Sequence, residues 1–125
     1  MDIEKNALAL LDVRTATIVL YCIQWFSSRP ERCETLLAVL QRRAGFSLRL
    51  ADFFTTTYCK THPLLVDVDS TPTRLASDYE RHLTVYNKRA FDAFARRSKI
   101  EITITGIRIA TTVGQLNYFR WFLSR

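Results

Sequence analysis

Cys59 and His62 have the residue types and the close spacing of half a zinc site. Zinc sites usually contain two close pairs of Cys and His ligands, and this sequence has one such pair. Cys22 or Cys33 could complete a site only if folding brought it to Cys59. The alternative is that the thiols are buried and pack as small apolar side chains. We therefore expect neither a bound metal nor another cofactor.

The other groups that could catalyse a reaction are isolated along the chain. Asp67 and Asp69 could bind a hard cation, but carboxylates before a Ser-Thr-Pro sequence are typical of turns. His82 has charged neighbours and no nucleophile at a catalytic spacing. A phosphate-binding loop needs clustered glycines, whereas the 3 glycines of this chain lie far apart. We therefore expect that the protein is not an enzyme.

The net positive charge of the sequence comes entirely from its C-terminal part. The net charge is +6; residues 1–73 contain eight Lys or Arg and eight Asp or Glu, whereas residues 74–125 contain ten and four. Cations interleaved with Tyr and Trp suit phosphate neutralisation and base stacking. The alternative is a solvated helix face, since no zinc-finger, KH or RRM signature is present. We expect DNA or RNA as a partner, contacted by Lys88, Arg89, Arg96, Arg97, Lys99, Arg108 and Arg120.

A change of hydrophobic period near the C-terminus predicts a β-hairpin. Isoleucines alternate with other residues from Ile100 to Ile104 and again from Ile107 to Ile109, as in strands with one buried face. Gly106 suits the turn between them. Thr105 resists the positive φ that a two-residue type I′ turn requires, so we expect a hairpin in which the turn is wider.

A closing helix should follow the hairpin. Thr112 and Gln115 have the spacing of a capping box, in which the hydroxyl accepts a first-turn N–H. Leu116, Phe119 and Leu123 then fall on one stripe, which should pack on the isoleucines and leave some aromatic surface uncovered.

The N-terminal part of the sequence predicts helices. The first runs from its cap, Asp2, to Phe26, and its second half is apolar on nearly every side. The second begins at Pro30, has an apolar stripe of period 3–4, and ends at Gly45 after a pair of arginines. A third, less regular helix begins at Ser47 and fades in the β-branched run of threonines 55–57.

Residues 63–73 contain prolines and aspartates and predict a connection that the apolar run 64–66 holds in place. Thr71 and Pro72 read as the cap and first turn of a long basic helix. Its apolar residues, from Leu75 to Phe94, fit either one helix or two helices separated near Asn87.

These elements predict an α+β fold that is mainly helical, with a C-terminal β-hairpin followed by an amphipathic helix. The chain divides into a helical N-terminal part, residues 1–62, a connection, residues 63–73, and a part with the basic helix, hairpin and closing helix, residues 74–125. We expect them to form one domain, because 125 residues are typical of a single domain.

Aromatic residues on the first and last helices support a second hypothesis. Helices that are apolar on most faces commonly dock against another subunit. The protein would then be a structural or assembly subunit with a protein partner, or a homo-oligomer. The residues expected at that interface are Trp25, Phe26, Tyr118, Trp121 and Phe122.

The sequence also predicts an intracellular protein without a membrane span. The 3 cysteines are an odd number at irregular spacing, unlike a secreted disulfide framework. The acidic start argues against a signal peptide, and the apolar run 16–26 is too short to cross a bilayer.

Three stretches carry a resemblance to known proteins: Asn87 to Arg89, Arg96 to Ile100 and, most specifically, Thr111 to Trp121. Through them, residues 78–122 resemble the C-terminal part of small uncharacterised proteins of nucleocytoplasmic large DNA viruses. The resemblance covers about a third of the chain and brings no activity or ligand with it. It implies a virion component or a genome-associated protein, located in the virion or in the host nucleus or cytoplasm.

Overall fold

The structure, a computed structural model, describes residues 2–3, 12–41, 48–94 and 99–125. Its elements are, in chain order, β1 (Asp2–Ile3), α1 (Val13–Ser27), α2 (Pro30–Leu40), α3 (Leu48–Phe53), a π-helical turn (Phe54–Tyr58), α4 (Cys59–Thr61), β2 (Leu65–Val68), β3 (Thr71–Arg74), α5 (Leu75–Tyr86), a 3₁₀ turn (Lys88–Ala90), β4 (Lys99–Ile104), β5 (Ile107–Thr112) and α6 (Val113–Ser124).

The C-terminal hairpin belongs to an antiparallel sheet of order β1-β4-β5. Ile100, Ile102 and Ile104 of β4 are buried, as is Ile109 of β5, so one face of the sheet packs on the core. Ile107, next to the turn, is exposed. The predicted α+β fold, with a hairpin followed by a helix, is confirmed.

The hairpin turn has two residues, so the expectation of a wider turn is wrong. Ile104 pairs with Ile107, and the residues between them, Thr105 and Gly106, have φ angles of +50° and +84°. Positive φ at both positions defines a type I′ turn, which matches the twist of the strands. A β-branched residue adopts this conformation only with strain, which the pairing of the two strands must offset.

The single helix predicted from Asp2 to Phe26 is not what the described residues form, since they have a strand at Asp2–Ile3 and a helix at Val13–Ser27. Asp2 and Ile3 pair with β4 as a strand, so Asp2 is not a helix cap. The cap is Asp12, whose Oδ1 accepts the Thr15 N–H at 2.7 Å. Residues 4–11, which the prediction placed in this helix, lie outside the described ranges. α1 buries one stripe of side chains, namely Ile18, Val19, Cys22, Ile23 and Phe26.

The second predicted helix is confirmed as α2. Pro30 occupies its first turn, where a missing N–H costs nothing, and Cys33, Leu36 and Val39 are buried. The helix ends at Leu40. The arginine pair and Gly45, predicted to close it, lie outside the described residues.

The third helix does not fade at its threonines; it widens there and continues to Thr61. The hydroxyl of Thr55 lies 3.2 Å from the Ala51 carbonyl and 2.9 Å from the hydroxyl of Tyr118. Threonine hydroxyls that bond to the preceding turn often bend helices, and the single π-helical turn lies at this position.

Residues 65–74, predicted as a connection and a helix start, form a second antiparallel hairpin, β2–β3. Thr71 and Pro72 are therefore strand residues and not a helix cap. Asp69 and Ser70 form the turn with φ angles of +50° and +66°, a type I′ pattern built without glycine. Short polar side chains tolerate this region better than most, but the sequence signal for it is weak.

The helix after this hairpin is shorter than the predicted long basic helix. α5 ends at Tyr86, and Asn87, with φ +59°, turns the chain while its N–H donates to the Leu83 carbonyl at 2.8 Å. The predicted break near Asn87 is therefore confirmed, but a three-residue 3₁₀ turn takes the place of the second helix in residues 88–94. Lys88 and Arg89 lie on a separate 3₁₀ turn and share no helix face with α5.

α6 is buried on most of its sides. Its cap is Thr112, whose hydroxyl accepts the Gln115 N–H at 3.2 Å, as the capping-box spacing predicted. α1, the 3₁₀ turn and β5 all pack against α6. Tyr118, Phe119 and Trp121 are consequently buried, and the expectation of a single packed stripe with uncovered aromatic surface is wrong.

A substitution in the hairpin turn tests the strain at Thr105. Because Asn adopts the left-handed region more readily than Thr, Thr105→Asn should raise the free energy of unfolding by about 0.5–1 kcal/mol in urea denaturation. Thr103→Asn, the same change in extended backbone of β4, is the control and should be neutral or destabilising. Equal effects of the two substitutions would contradict a strained turn.

Candidate nucleic-acid interface and apolar groove

The segment from the end of α5 to the first residue of β4, residues 87–99, is called the basic segment below. Its described part is fixed to the N-terminal half of α6 by hydrogen bonds. The carbonyls of Ala90 and Ala93 accept from the side-chain amides of Asn117 and Gln115, at 2.8 and 3.1 Å. The Asp92 N–H donates to a carbonyl in the first turn of α6 at 3.0 Å. The backbone of the segment is thus held by a helix that is buried on most of its sides.

An aromatic anchor adds to these hydrogen bonds. Phe91 is fully buried, and its ring lies 5.7 Å from that of Tyr79 and 5.5 Å from that of Trp121, centroid to centroid. Burial of an aromatic side chain contributes about 2–3 kcal/mol. The segment therefore has a fixed centre with charged residues on both sides.

Three of the predicted phosphate contacts are exposed in or beside this segment. Lys88 and Arg89 precede the anchor, and Lys99 follows it at the start of β4. Lys88 lies near Asp52. Burial and the charge of Asp92 raise the pKa of Asp52, and the charge of Lys88 opposes that rise. Arg96 and Arg97 lie outside the described residues.

Arg108 is exposed on the outer face of the hairpin, where its guanidinium lies 3.2 Å from the Glu101 carboxylate. Both side chains are mostly exposed, so the pair contributes little to stability. Its main effect is to lower the positive potential there. Arg108 is thus a weaker candidate for phosphate contact than Lys88 or Arg89.

Arg120 is not a surface residue, and its assignment as a phosphate contact on an exposed face is wrong. The residue is 5% exposed, and its Nε donates to the Oδ1 of Asn117 at 3.0 Å. Arg120 is buried because α1 and the 3₁₀ turn enclose α6. The sequence pattern gave no indication of that packing.

The predicted subunit interface is also largely internal. Phe26, Tyr118 and Trp121 are buried in the core of this chain and expose no side-chain surface of their own, so these three assignments to an exposed interface are wrong. Trp25 is half-buried under the guanidinium of Arg32, 3.8 Å from the ring centroid, and Phe122 is half-buried. Most of the aromatic side chains predicted to form an interface between subunits instead fill the core of a single chain.

Apolar surface is exposed elsewhere, at a groove of about 300 Å³ between the β2–β3 hairpin, the π-turn and the C-terminal end of α6. Leu65 is 66% exposed and Leu64 is 38% exposed at its edge. The lining residues are Phe54, Leu64, Leu65, Val66, Leu75, Trp121, Phe122 and Arg125. Below, this feature is called the apolar groove.

A buried carboxylate beside the groove links α5 to α6. Asp78 is 1% exposed and accepts from Trp121 Nε1 at 2.7 Å, from Arg125 Nε at 2.6 Å and from Arg81 at 2.8 Å. Burial alone would raise the pKa of Asp78, but the hydrogen bonds from Arg125 and Trp121 outweigh it and lower the pKa. Asp78 is therefore ionised at neutral pH.

His82, one turn after Asp78, is neutral at the same pH. Burial lowers the pKa of His82 more than its contacts with Asp78 raise it. Its Nδ1 lies 2.8 Å from the Asp78 carbonyl, and a carbonyl only accepts, so Nδ1 carries the proton. Its ring packs against Phe91 and Trp121, with centroids 5.8 and 5.9 Å away.

The sequence did not predict that the carboxylate of Asp78 is buried and accepts hydrogen bonds from three side chains. Its spacing to Arg81 was visible in the sequence as an i, i+3 pair of opposite charge. Its partners in α6 lie more than forty residues away, at separations of 43 and 47, and no local pattern indicates such pairings.

The residues considered for metal binding lie apart. Cys59 is buried, whereas His62 is exposed and stacks on Tyr58 with ring centroids 4.0 Å apart. Within the described ranges, no three His, Cys, Asp or Glu side chains are grouped so that they could hold a metal ion. Among the same residues, no helix is both long and apolar enough to cross a membrane.

The fold and the site define a class of α+β protein in which one central helix holds a basic segment at its N-terminal half and lines an apolar groove at its other end. The chain belongs to a family of unknown function (DUF7197), whose pattern matches residues 1–125.

The chain is similar to uncharacterized protein L507 of Acanthamoeba polyphaga mimivirus, with 25% identity over 108 residues that cover 78% of this chain and 42% of the relative. The chain thus spans less than half the length of that relative. The similarity confirms the resemblance to proteins of nucleocytoplasmic large DNA viruses and supports a viral context. No solved structure matches the chain.

The role of Asp78 leads to a stability prediction. Asp78→Asn should lower the free energy of unfolding by about 3 kcal/mol, because it removes the counter-charge of two arginines from a buried site. Glu80→Gln is the matched control; its pair with Lys60 spans 4.0 Å with both side chains mostly exposed, so the change should stay below about 0.5 kcal/mol.

The same variant has a defined pH dependence. Since the pKa of Asp78 is lowered by folding, its stabilisation is complete above the unfolded value and disappears as the pH falls through the lowered folded value. Wild-type stability should therefore decline below about pH 5 more steeply than that of Asp78→Asn. Parallel declines, measured by urea unfolding at each pH, would show that Asp78 is not the responsible group.

Proposed function

We propose that this protein binds nucleic acid through phosphate contacts of the basic segment, as a genome-associated or virion protein without catalytic activity. The observation that carries the proposal is that the basic segment is rich in cations and that hydrogen bonds to α6 and the buried ring of Phe91 hold its backbone in place. Residues 88–99 contain five cations and one carboxylate. Lys88, Arg89 and Lys99 are exposed at its two ends.

The position of the first cations of the segment supports this function. The segment leaves α5 at Asn87 and returns to the core at Phe91, so its first cations lie on a short, anchored turn. Preorganised cations lose little conformational entropy on binding. Phosphate contacts need no sequence-reading module, which agrees with the lack of such a signature. The viral relative supports a viral context for the proposal.

The proposal is tested by titrating labelled single- and double-stranded DNA and RNA of 20 nucleotides at several salt concentrations. The variant Lys88→Gln/Arg89→Gln/Lys99→Gln should weaken binding at least about tenfold and reduce the slope of log K against log salt by about two to three.

The control is Arg29→Gln/Arg49→Gln/Arg74→Gln, which changes the net charge equally at exposed positions outside the basic segment. It should keep most of the affinity. If both triple variants weaken binding alike, overall charge is responsible and the basic segment is not a site. Binding without salt dependence, or none at all, would contradict the proposed function.

A second candidate is a structural or assembly subunit that docks a protein through the apolar groove. The observation that favours it is the exposure of Leu64 and Leu65 beside a cavity of about 300 Å³. Leu50, Phe53 and Tyr58 are also exposed on the neighbouring helical run. Exposed apolar side chains beside a cavity are a feature of many interaction sites.

One version of this second function, self-association through the apolar groove, can be tested with the isolated protein. Light scattering after size exclusion, with nuclease-treated protein, should show a concentration-dependent oligomer that Leu65→Asp dissociates. Val85→Asp, at an exposed apolar position on α5 away from the groove lining, should behave as wild type. Weak self-association has a Kd on the order of 10⁻⁴ M. A monomer at every concentration up to about that value would therefore contradict self-assembly.

A further inference from the structure

The β2–β3 hairpin has one edge to which a further strand can be added. Its two strands form a sheet of their own, in which Val68 pairs with Thr71 across a two-residue turn. In such a hairpin the pair next to the turn is hydrogen bonded, and the direction of the backbone groups alternates along each strand from there. The N–H and C=O groups of Leu65 and Asp67 therefore point away from β3.

The opposite edge of the hairpin, on β3, cannot pair in the same way. Pro72 lies opposite Asp67, so this outward position of β3 has no N–H to donate. The apolar groove is also on the β2 side, since Leu64, Leu65 and Val66 line it, whereas the described residues of β3 do not. A strand added to this sheet would thus run along β2 and beside the groove.

Both outward-facing residues of β2 are accessible to a partner. Leu65 is 66% exposed, and Asp67 is exposed as well. Among the described residues, the backbone hydrogen bonds outside the strand pairs include none to Leu65 or Asp67. Their backbone groups repeat every two residues, about 7 Å apart, as do those of any extended chain. The edge is therefore complementary to an extended peptide and not to a helix.

The charge on this edge favours a basic residue in that peptide. The cross-strand neighbour of Asp67 is the uncharged Pro72, and among the described residues neither Asp67 nor Asp69 forms a salt bridge. A cation opposite Asp67 would add a cross-strand pair of opposite charge. A second copy of the chain offers none, because two-fold pairing of β2 with itself places Asp67 opposite Pro63, Leu65 or Asp67, depending on the register.

We propose that β2 binds an extended peptide of a partner protein as a third strand, with a basic residue opposite Asp67 and apolar residues opposite Leu65 and in the groove. Main-chain hydrogen bonds supply the affinity of such complexes, and side-chain contacts supply their specificity. A third strand also stabilises a two-stranded sheet, which is marginal by itself. This inference rests on the second candidate function, docking at the apolar groove, and is independent of nucleic-acid binding.

The experiment adds the capped heptapeptide Ser-Lys-Val-Leu-Val-Ser-Lys to the isotope-labelled full chain and follows its amide resonances by NMR. Antiparallel to β2, this peptide places its first lysine opposite Asp67 and its leucine opposite Leu65. We expect a Kd on the order of 10⁻⁴ M, and no binding at about 10⁻³ M peptide would overturn the proposal.

Methylation of the peptide nitrogens tests the strand pairing directly. A methyl group on the nitrogen of the first lysine or of the leucine removes an N–H that faces β2, so each should weaken binding at least about tenfold. The first valine is the matched control; its N–H points away from β2, so methylation there should change the Kd by less than about threefold. Equal effects at the three positions would rule out strand addition. If Leu65→Asp still abolished binding in that case, docking at the groove would stand without it.

Charge reversal tests the predicted basic residue. Asp67→Lys should weaken binding about fivefold, and a peptide with glutamate in place of its first lysine should recover the lost affinity. Glu34→Lys, the same charge change at an exposed position of α2 outside the groove lining, should bind as wild type. Similar losses in the two variants, without recovery by the glutamate peptide, would contradict the pairing with Asp67.

Hydrogen exchange in wild type provides a readout that does not depend on variants that fold. The peptide should slow exchange of the Leu65 and Asp67 amides more than that of Val66, whose N–H already bonds to β3. Unchanged exchange at Leu65 and Asp67 with bound peptide would contradict the proposal. Protection of both amides in a peptide-free dimer would identify a second copy as the occupant and would also contradict it.

Discussion

The buried carboxylate of Asp78 is the interaction on which the arrangement of the C-terminal half depends. It is the point where α5 meets the last two turns of α6, through Trp121 and Arg125. A charge in this position is costly unless several donors surround it, and three do. The orientation of α5 against α6 is therefore defined by hydrogen-bond directions as well as by apolar packing.

That orientation determines both candidate sites. The basic segment begins where α5 ends and is fixed to α6 by Asn117 and Gln115, so its position follows from the angle between the two helices. The apolar groove is lined by Leu75 at the start of α5 and by Phe122 and Arg125 at the end of α6. A change at Asp78 would thus alter the groove directly and the basic segment through the helices that support it.

Elements with local signals could be predicted from the sequence. The period of the isoleucines, the stripe of α2 and the Thr112 cap depend on neighbours within a few residues, and all three are present. β1 could not be predicted, because two residues form a strand only by pairing with β4 a hundred residues later. The β2–β3 hairpin was missed because its turn contains no glycine. Burial of Arg120 depends on which helices enclose α6, and periodicity carries no such information.

The positions of the described cations change the interpretation of the surplus positive charge in residues 74–125. Two arginines share the carboxylate of Asp78, Arg108 lies beside Glu101, and Arg120 is inside the fold. Ion pairs and burial remove those charges from the potential that a distant polyanion meets, because a paired charge acts only as a dipole at that range. Among the described cations of this half, Lys88, Arg89 and Lys99 remain exposed on either side of the core anchor. A phosphate chain that met this surface would be held over a short length, which favours contact with a few phosphates and not with an extended groove.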